Sequence, residues 1–289
     1  KAAEVSTKKR RSLGIGYIGL AHYLAKNGVK YSDPEAWALV DRLTEAFQYH
    51  LLRASCDIAM EKGKCEGFER TKYADGLLPI DHYKKEVDEI VPHKQRMAWE
   101  SLRKDIAKHG LRHSTLSAQM PSESSSVVSN ETNGIEPPRA LLAIKKSKKG
   151  PLKQIAPGYP KLKNDYTLLW EMPSNEGYIN VVAMMQKYFD QAISGNWSYN
   201  PLQFENNEVP LSAMAQDMLT AYKYGWKTSY YQNTYDFKGE DEDVQPAGIG
   251  VVTEDEGEDV ILEPENTVNG DDQISTSAGE EGECEACTI

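Results

Sequence analysis

The stretch Ser32–Gly63, SDPEAWALVDRLTEAFQYHLLRASCDIAMEKG, carries the clearest structural signal in the chain. Ser32-Asp33-Pro34-Glu35 has the pattern of a helix start, a capping box with proline in the first turn, and Gly63 closes the far end. Apolar residues at Ala36, Leu39, Val40, Leu43, Ala46, Phe47, Leu51, Ala54 and Ile58 recur at i, i+3, i+4, which predicts one buried stripe along a long helix. His50 lies beside this stripe and reads as a structural histidine. Cys56 and Cys65 have no His or Cys at metal-ligand spacing and read as packing residues.

Upstream, Leu13–Leu20 is short, apolar and Gly-rich. Its Gly14-Ile15-Gly16-Tyr17-Ile18-Gly19 formally matches a dinucleotide fingerprint. A working fingerprint follows a strand and opens a helix, whereas here Lys8-Lys9-Arg10-Arg11-Ser12 precedes it and Asn27-Gly28 stops any helix within about two turns. The segment reads instead as a strand where backbones approach closely. Downstream, Trp99–Lys108 reads as a helix ended by His109-Gly110, and Leu111–Ala118 as a short strand. Ala140–Ile144 and Leu152–Ala156 read as a hairpin with a basic tip at Lys145–Lys149. Such a lone basic turn without interleaved aromatics reads as solvated and not as a nucleic-acid site. Two further helices are expected at Tyr178–Ile193 and Pro210–Tyr224, the second with Leu211, Met214, Met218, Leu219 and Tyr222 inward and Gly225 as its stop.

At 289 residues the chain has room for one large domain or two modest ones. Its net charge of −11 is unevenly spread: residues 238–289 carry 17 acidic residues against one basic, and residues 1–237 carry 27 acidic against 32 basic. The acidic tail, poor in aromatics, cannot bury enough apolar surface to offset its ordering entropy and is expected to be disordered. No apolar run approaches a membrane span. The start, with no Met and no apolar stretch behind Lys8–Arg11, reads as a cut edge without a secretory signal. Four scattered cysteines argue for a reducing, cytoplasmic setting, where the sequons at Asn130 and Asn196 carry no meaning.

Between the expected strand and a helix beginning near Ser124 lies Gln119-Met120-Pro121-Ser122-Glu123-Ser124-Ser125-Ser126. Serine hydroxyls with backbone N–H groups at a helix start suit a phosphate; a solvated serine loop is the other reading. Trp226–Tyr235 is rich in β-formers and holds the adjacent tyrosines Tyr230 and Tyr231, which by themselves fit aromatic packing of a strand. The tail ends in Cys284-Glu285-Ala286-Cys287.

Five segments together resemble the C-terminal portion of the large, catalytic subunit of class I ribonucleotide reductases. They are Arg11-Ser12-Leu13-Gly14-Ile15-Gly16, Tyr73–Asp81, Met120–Ser126, Asn133-Gly134-Ile135-Glu136-Pro137-Pro138-Arg139 and Lys227–Thr234. The resemblance implies an α/β fold, with residues 1–120 as late strands and helices of a ten-stranded α/β barrel. Residues 121–237 would form a mixed α+β C-terminal subdomain, and residues 238–289 a flexible acidic tail. It further implies that Pro121, Ser122, Glu123, Ser124 and Ser125 hold the substrate diphosphate, that Tyr230 and Tyr231 relay a radical, and that Cys284 and Cys287 are a thiol shuttle. The CxxC spacing of that last pair is tighter than in many relatives.

By the same resemblance the chain binds no metal or cofactor itself, the metal-radical centre belonging to a partner small subunit. The other implied partners are the N-terminal part of the large subunit, a thioredoxin or glutaredoxin, and a ribonucleoside diphosphate, with no membrane and no nucleic acid. The upstream parts the chemistry needs lie outside the matched portion, so the chain is expected to act only in combination. A non-catalytic docking fragment of a reductase is the competing reading; the retained tyrosine and cysteine pairs weigh against it, since a docking module needs neither.

Overall fold

A computed structural model describes residues 1–147 and 150–235, by backbone alone at 123, 143–147 and 150–153. Eight α-helices and four strands are found among them: α1 Ala2–Arg10, α2 Leu20–Lys26, α3 Pro34–Lys62, α4 Pro79–His82, α5 Trp99–His109, α6 Glu123–Ser129, β1 Leu142–Ser147, β2 Gly150–Ile155, α7 Glu176–Gln186, β3 Ser194–Tyr199, α8 Leu211–Tyr224 and β4 Thr228–Thr234. The acidic tail and both of its cysteines lie outside the described residues.

The long helix forms where the sequence places it, but its start is built differently. Asp33 is the N-cap without a side-chain cap bond, because its Oδ2 turns back to accept the Lys30 N–H at 2.7 Å. Pro34 at the first position still presets the helical dihedral and brings no orphan N–H. The buried seam is also rotated from the expected stripe: Ala54 and His50 are exposed, while Asp41, Thr44, Glu45 and Gln48 are buried beside Ala36, Val40 and Leu52. These polar residues stay inside because other segments satisfy them.

Arg96 reaches both carboxylates, at 2.8 Å to Asp41 and 2.9 Å to Glu45. Glu45 Oε1 further accepts the Arg96 N–H at 2.8 Å, the Met97 N–H at 3.2 Å and the Trp99 indole N–H at 3.0 Å. Lys187, wholly buried, lies 3.4 Å from Asp41 and 3.0 Å from Asp88. Tyr188 donates to Asp41 at 3.0 Å.

Two apolar clusters flank this seam. One gathers α2, the first half of α3, α7 and the Trp197–Trp226 pair; the other gathers Leu52, Cys56, Cys65, Trp99, Leu102, Ile106 and Leu111 along the second half of α3 and α5. Both cysteines are thus packing residues, and burial pushes both thiols up from their ordinary pKa. Helix α7 is buried on every side, as an apolar helix at the centre of a protein must be. It begins two residues earlier and ends seven earlier than its spacing suggests. Helix α8 corrects the reading more sharply: Leu211 is 82% and Leu219 63% exposed, Met218 and Tyr222 are exposed too, Met214 is half-buried, and Ala221 alone is buried. It docks by Met214, Ala221 and Tyr224.

The expectation of a ten-stranded α/β barrel is not met. The described residues are mostly helical, and their strands form two separate two-stranded sheets, an antiparallel β1–β2 hairpin and a parallel β3–β4 pair. The stretches Leu13–Leu20 and Leu111–Ala118, expected as strands, do run side by side. Leu13 N–H donates to Thr115 O at 3.0 Å, Ile15 N–H to Leu116 O at 2.8 Å and Ala118 N–H to Ile15 O at 3.0 Å. Yet only Ile15 and Ser117 form a bridge. A closed barrel needs every strand paired on both edges, and here each has one short partner before turning into helix or loop. Close backbone approach is borne out at Gly16, where a Cβ would sit 2.5 Å from Ala118 O.

Candidate active site

The serine-rich turn is held from behind. Asp190 Oδ2 accepts the N–H groups of Leu116 at 2.7 Å and Ser117 at 3.2 Å, and Ser117 Oγ accepts the Asp190 N–H at 2.8 Å. Tyr73 and Gln48 also bond to Asp190 Oδ1. Gln119 then clasps the Tyr17 peptide, accepting its N–H at 3.1 Å and donating to its carbonyl at 2.9 Å. The chain emerges at Pro121 in a fixed register, and Asn133 Oδ1 accepts the Ser122 N–H at 3.0 Å. Helix α6 follows, leaving Ser124 and Ser125 exposed while Ser126 is buried.

The second part of the site is an irregularity in the β3–β4 pair. Gly195 faces Ser229 and Trp197 faces Gln232, so the single residue Asn196 stands opposite both Tyr230 and Tyr231. This is a β-bulge, two residues against one, uncommon between parallel strands. In a regular strand adjacent side chains point to opposite faces; at the bulge they do not, and the two phenol rings lie 4.1 Å apart between centroids, tilted by 56°. Both rings remain more than half exposed. Bonding to the Tyr231 hydroxyl raises the Tyr230 pKa. In the same strand pair, Trp226 packs on Gly195, where a Cβ would be 2.4 Å from the indole, and donates its N–H to Thr228 O at 2.7 Å.

Both parts open on one cleft of about 740 Å³, whose walls include Pro121, Ser122, Ser124, Ser125, Tyr230 and Tyr231. The segment from Glu131 to Ala140 forms another wall. There the exposed Arg139 guanidinium lies 5.8 Å from the Trp170 ring centroid. Glu131 is held by His22 Nδ1 at 3.0 Å, and Glu136 accepts from Asn196 Nδ2 at 2.6 Å. The cleft therefore offers hydroxyls, a guanidinium and carboxylates beside two oxidisable phenols.

Of the nine residues singled out from sequence, six line the cleft. Glu123 is the first residue of α6, described by its backbone only; Cys284 and Cys287 lie outside the described residues. Sequence reasoning assigned no role to Asn133, Glu136, Arg139 or Asn196. The first three fall in a segment quoted above, which signalled them; Asn196 is signalled by nothing but a polar side chain in a strand. Among the described residues no group of three His, Cys, Asp or Glu is arranged to hold a metal ion, and no helix is long and apolar enough to cross a membrane.

Residues 1–232 match the family model described as "Ribonucleotide reductase, barrel domain". The chain is 57% identical over 235 residues to the ribonucleoside-diphosphate reductase subunit alpha of Haemophilus influenzae, covering 81% of this chain and 31% of that one. It is 53% identical over 235 residues to the ribonucleoside-diphosphate reductase 1 subunit alpha of Escherichia coli, with the same coverage, and 43% identical over 237 residues to the ribonucleoside-diphosphate reductase subunit alpha of Enterobacteria phage T4, again over 81% and 31%. The chain thus spans about a third of the length of these relatives. With the serine turn, the tyrosine pair and the wall segment meeting in one cleft inside the matched region, the chain belongs to the ribonucleotide reductase family, as a homologue of the large (alpha) subunit.

Proposed function

We propose that this chain supplies three working parts of a ribonucleoside-diphosphate reductase, an oxidoreductase that makes deoxyribonucleotides. Residues 121–125 bind the substrate diphosphate, Tyr230 and Tyr231 relay the radical, and Cys284 with Cys287 returns reducing equivalents. The observation that carries this reading is that the serine turn and the tyrosine pair share one cleft. Hydroxyls and backbone N–H groups are suited to phosphate oxygens. Arg139, which lines the same cleft, adds the positive charge that such a ligand calls for.

In the relay, one tyrosyl radical takes a hydrogen atom, an electron with its proton, from the neighbouring phenol. The radical moves one residue and the first ring is restored. The 4.1 Å ring separation keeps that exchange short. At the tail, the two thiols give up two electrons and two protons to a disulfide made in the site and become a disulfide themselves, which a thioredoxin or glutaredoxin then reduces. Chain length permits this double duty: a Gly-rich coil of about 50 residues has a root-mean-square span on the order of 40 Å. In this reading the remaining part of the large subunit and a small subunit with the metal-radical centre complete the enzyme.

Tyr230→Phe and Tyr231→Phe test the proposal in the assembled reductase. Phenylalanine keeps the ring and removes the oxidisable O–H. Melting temperature and small-subunit affinity stay near wild type and deoxynucleotide formation falls to background; a substantial residual activity in either variant would return the pair to a packing role.

A further inference from the structure

The bulge that carries the two tyrosines has one residue opposite it, and that residue makes two side-chain bonds of different sense. Asn196 Oδ1 accepts the backbone N–H of Tyr231 at 3.0 Å. Asn196 Nδ2 donates to Glu136 Oε1 at 2.6 Å. A bulge leaves the extra residue outside the regular ladder, and an unmade backbone bond there would let the strand slip back to regular alternation, which would part the rings. The amide oxygen takes the place of the missing ladder acceptor. Its nitrogen meanwhile fastens the bulge to the cleft wall, since Glu136 and Asn196 both line the same cleft as the serine turn.

We propose that Asn196 is a positioning residue: its side-chain amide locks the β3–β4 bulge so that Tyr231 stays packed against Tyr230, and ties that pair to Glu136 on the substrate cleft. The lock makes the geometry of the pair sensitive to what happens at the wall. A ligand group that draws Glu136 away loosens Asn196, and with it the Tyr231 peptide. As a role in turnover this rests on the relay reading above; as a statement about ring geometry it stands without it.

The test places 3-fluorotyrosine at position 231 of the full chain and follows its fluorine resonance. In the wild type the adjacent Tyr230 ring displaces that resonance from the free amino acid. Asn196→Ala moves it most of the way to the free value while the melting temperature stays within a few degrees. Asn196→Asp alone sets two carboxylates together and also shifts it. The paired variant Asn196→Asp with Glu136→Gln exchanges donor for acceptor, so both bonds can re-form and the resonance returns towards wild type.

In the assembled enzyme Asn196→Ala lowers kcat by roughly tenfold to a hundredfold, the scale expected for misplacing a reacting group, with substrate KM within twofold. An unmoved resonance in Asn196→Ala, or a paired variant no better than Asn196→Asp, overturns the lock. A moved resonance with kcat unchanged overturns its part in turnover. If Tyr231→Phe proves active while the resonance behaves as described, the relay falls and the lock remains.

Discussion

At the scale of single residues, exposed groups in the cleft contrast with core groups held by their neighbours. Ser124 and Ser125 are exposed at the start of α6, and hydrogen bonds to a charged phosphate are worth about 1.5 to 3 kcal/mol each. The double variant Ser124→Ala/Ser125→Ala is therefore expected to raise the KM for a ribonucleoside diphosphate by at least tenfold in steady-state assays of the assembled enzyme; an unchanged KM and kcat would remove the phosphate assignment. Glu45 illustrates a held group. Burial alone would raise its pKa, but the bonds from Arg96, Trp99 and Met97 outweigh that and lower it below its ordinary value of 4.5. A carboxylate whose pKa falls on folding contributes stability above the unfolded value and loses it as pH falls through the folded one. Unfolding followed below pH 4.5 is expected to show a flatter acid limb in Glu45→Gln than in wild type, with the variant less stable at neutral pH.

At the scale of elements, helix existence is legible from spacing and caps, and helix facing is not. The limits of α3, α5 and α8 follow from Pro34, Gly63, Gly110 and Gly225. Which side is buried depends on partners far along the chain: Arg96 and Lys187 draw Asp41 and Glu45 inward, and no periodicity in α3 signals them. In α8, of the apolar residues expected inside, Met214 packs on the core beside Ala221, while Leu211, Met218, Leu219 and Tyr222 are exposed. The contrast yields a paired prediction. Trp99 is fully buried, donates to Glu45 and meets Tyr49 edge-on at 5.3 Å, so Trp99→Ala should cost about 3 to 5 kcal/mol in urea denaturation. Leu219→Ser on the exposed side of α8 should change stability by no more than about 0.5 kcal/mol. The bulge is the clearest case of a feature hidden from sequence: two adjacent tyrosines in a β-rich stretch say nothing of ring contact, because the register that brings them together is set by Gly195 and Asn196 on another strand.

At the scale of the whole molecule, the motifs of the family are legible and the expected barrel is not. Met120–Ser126, Asn133–Arg139 and Lys227–Thr234 are separate in sequence and meet at one cleft. The barrel fails because Leu13–Leu20 and Leu111–Ala118, read as barrel strands, make a single bridge, and helices take most of the backbone hydrogen bonding of the described residues.

In the proposed mechanism the cleft and the tail have separate tasks. With a thioredoxin-type reductant, Cys284→Ser or Cys287→Ser should abolish multiple turnover yet leave about one turnover from pre-reduced enzyme, since the proposed task of the tail begins only after the site has been oxidised. Full steady-state activity in the double variant would make the pair dispensable.

The central claim, that radical passage runs through the bulge beside the substrate cleft, is tested most directly by electron paramagnetic resonance. With Tyr231→3-aminotyrosine, a ring more easily oxidised than tyrosine becomes a trap at that position. The account predicts an aminotyrosyl signal that appears when the assembled enzyme is given ribonucleoside diphosphate, together with loss of an equivalent amount of the small subunit's radical. Loss of the stored radical on turnover with no signal at position 231 would contradict it.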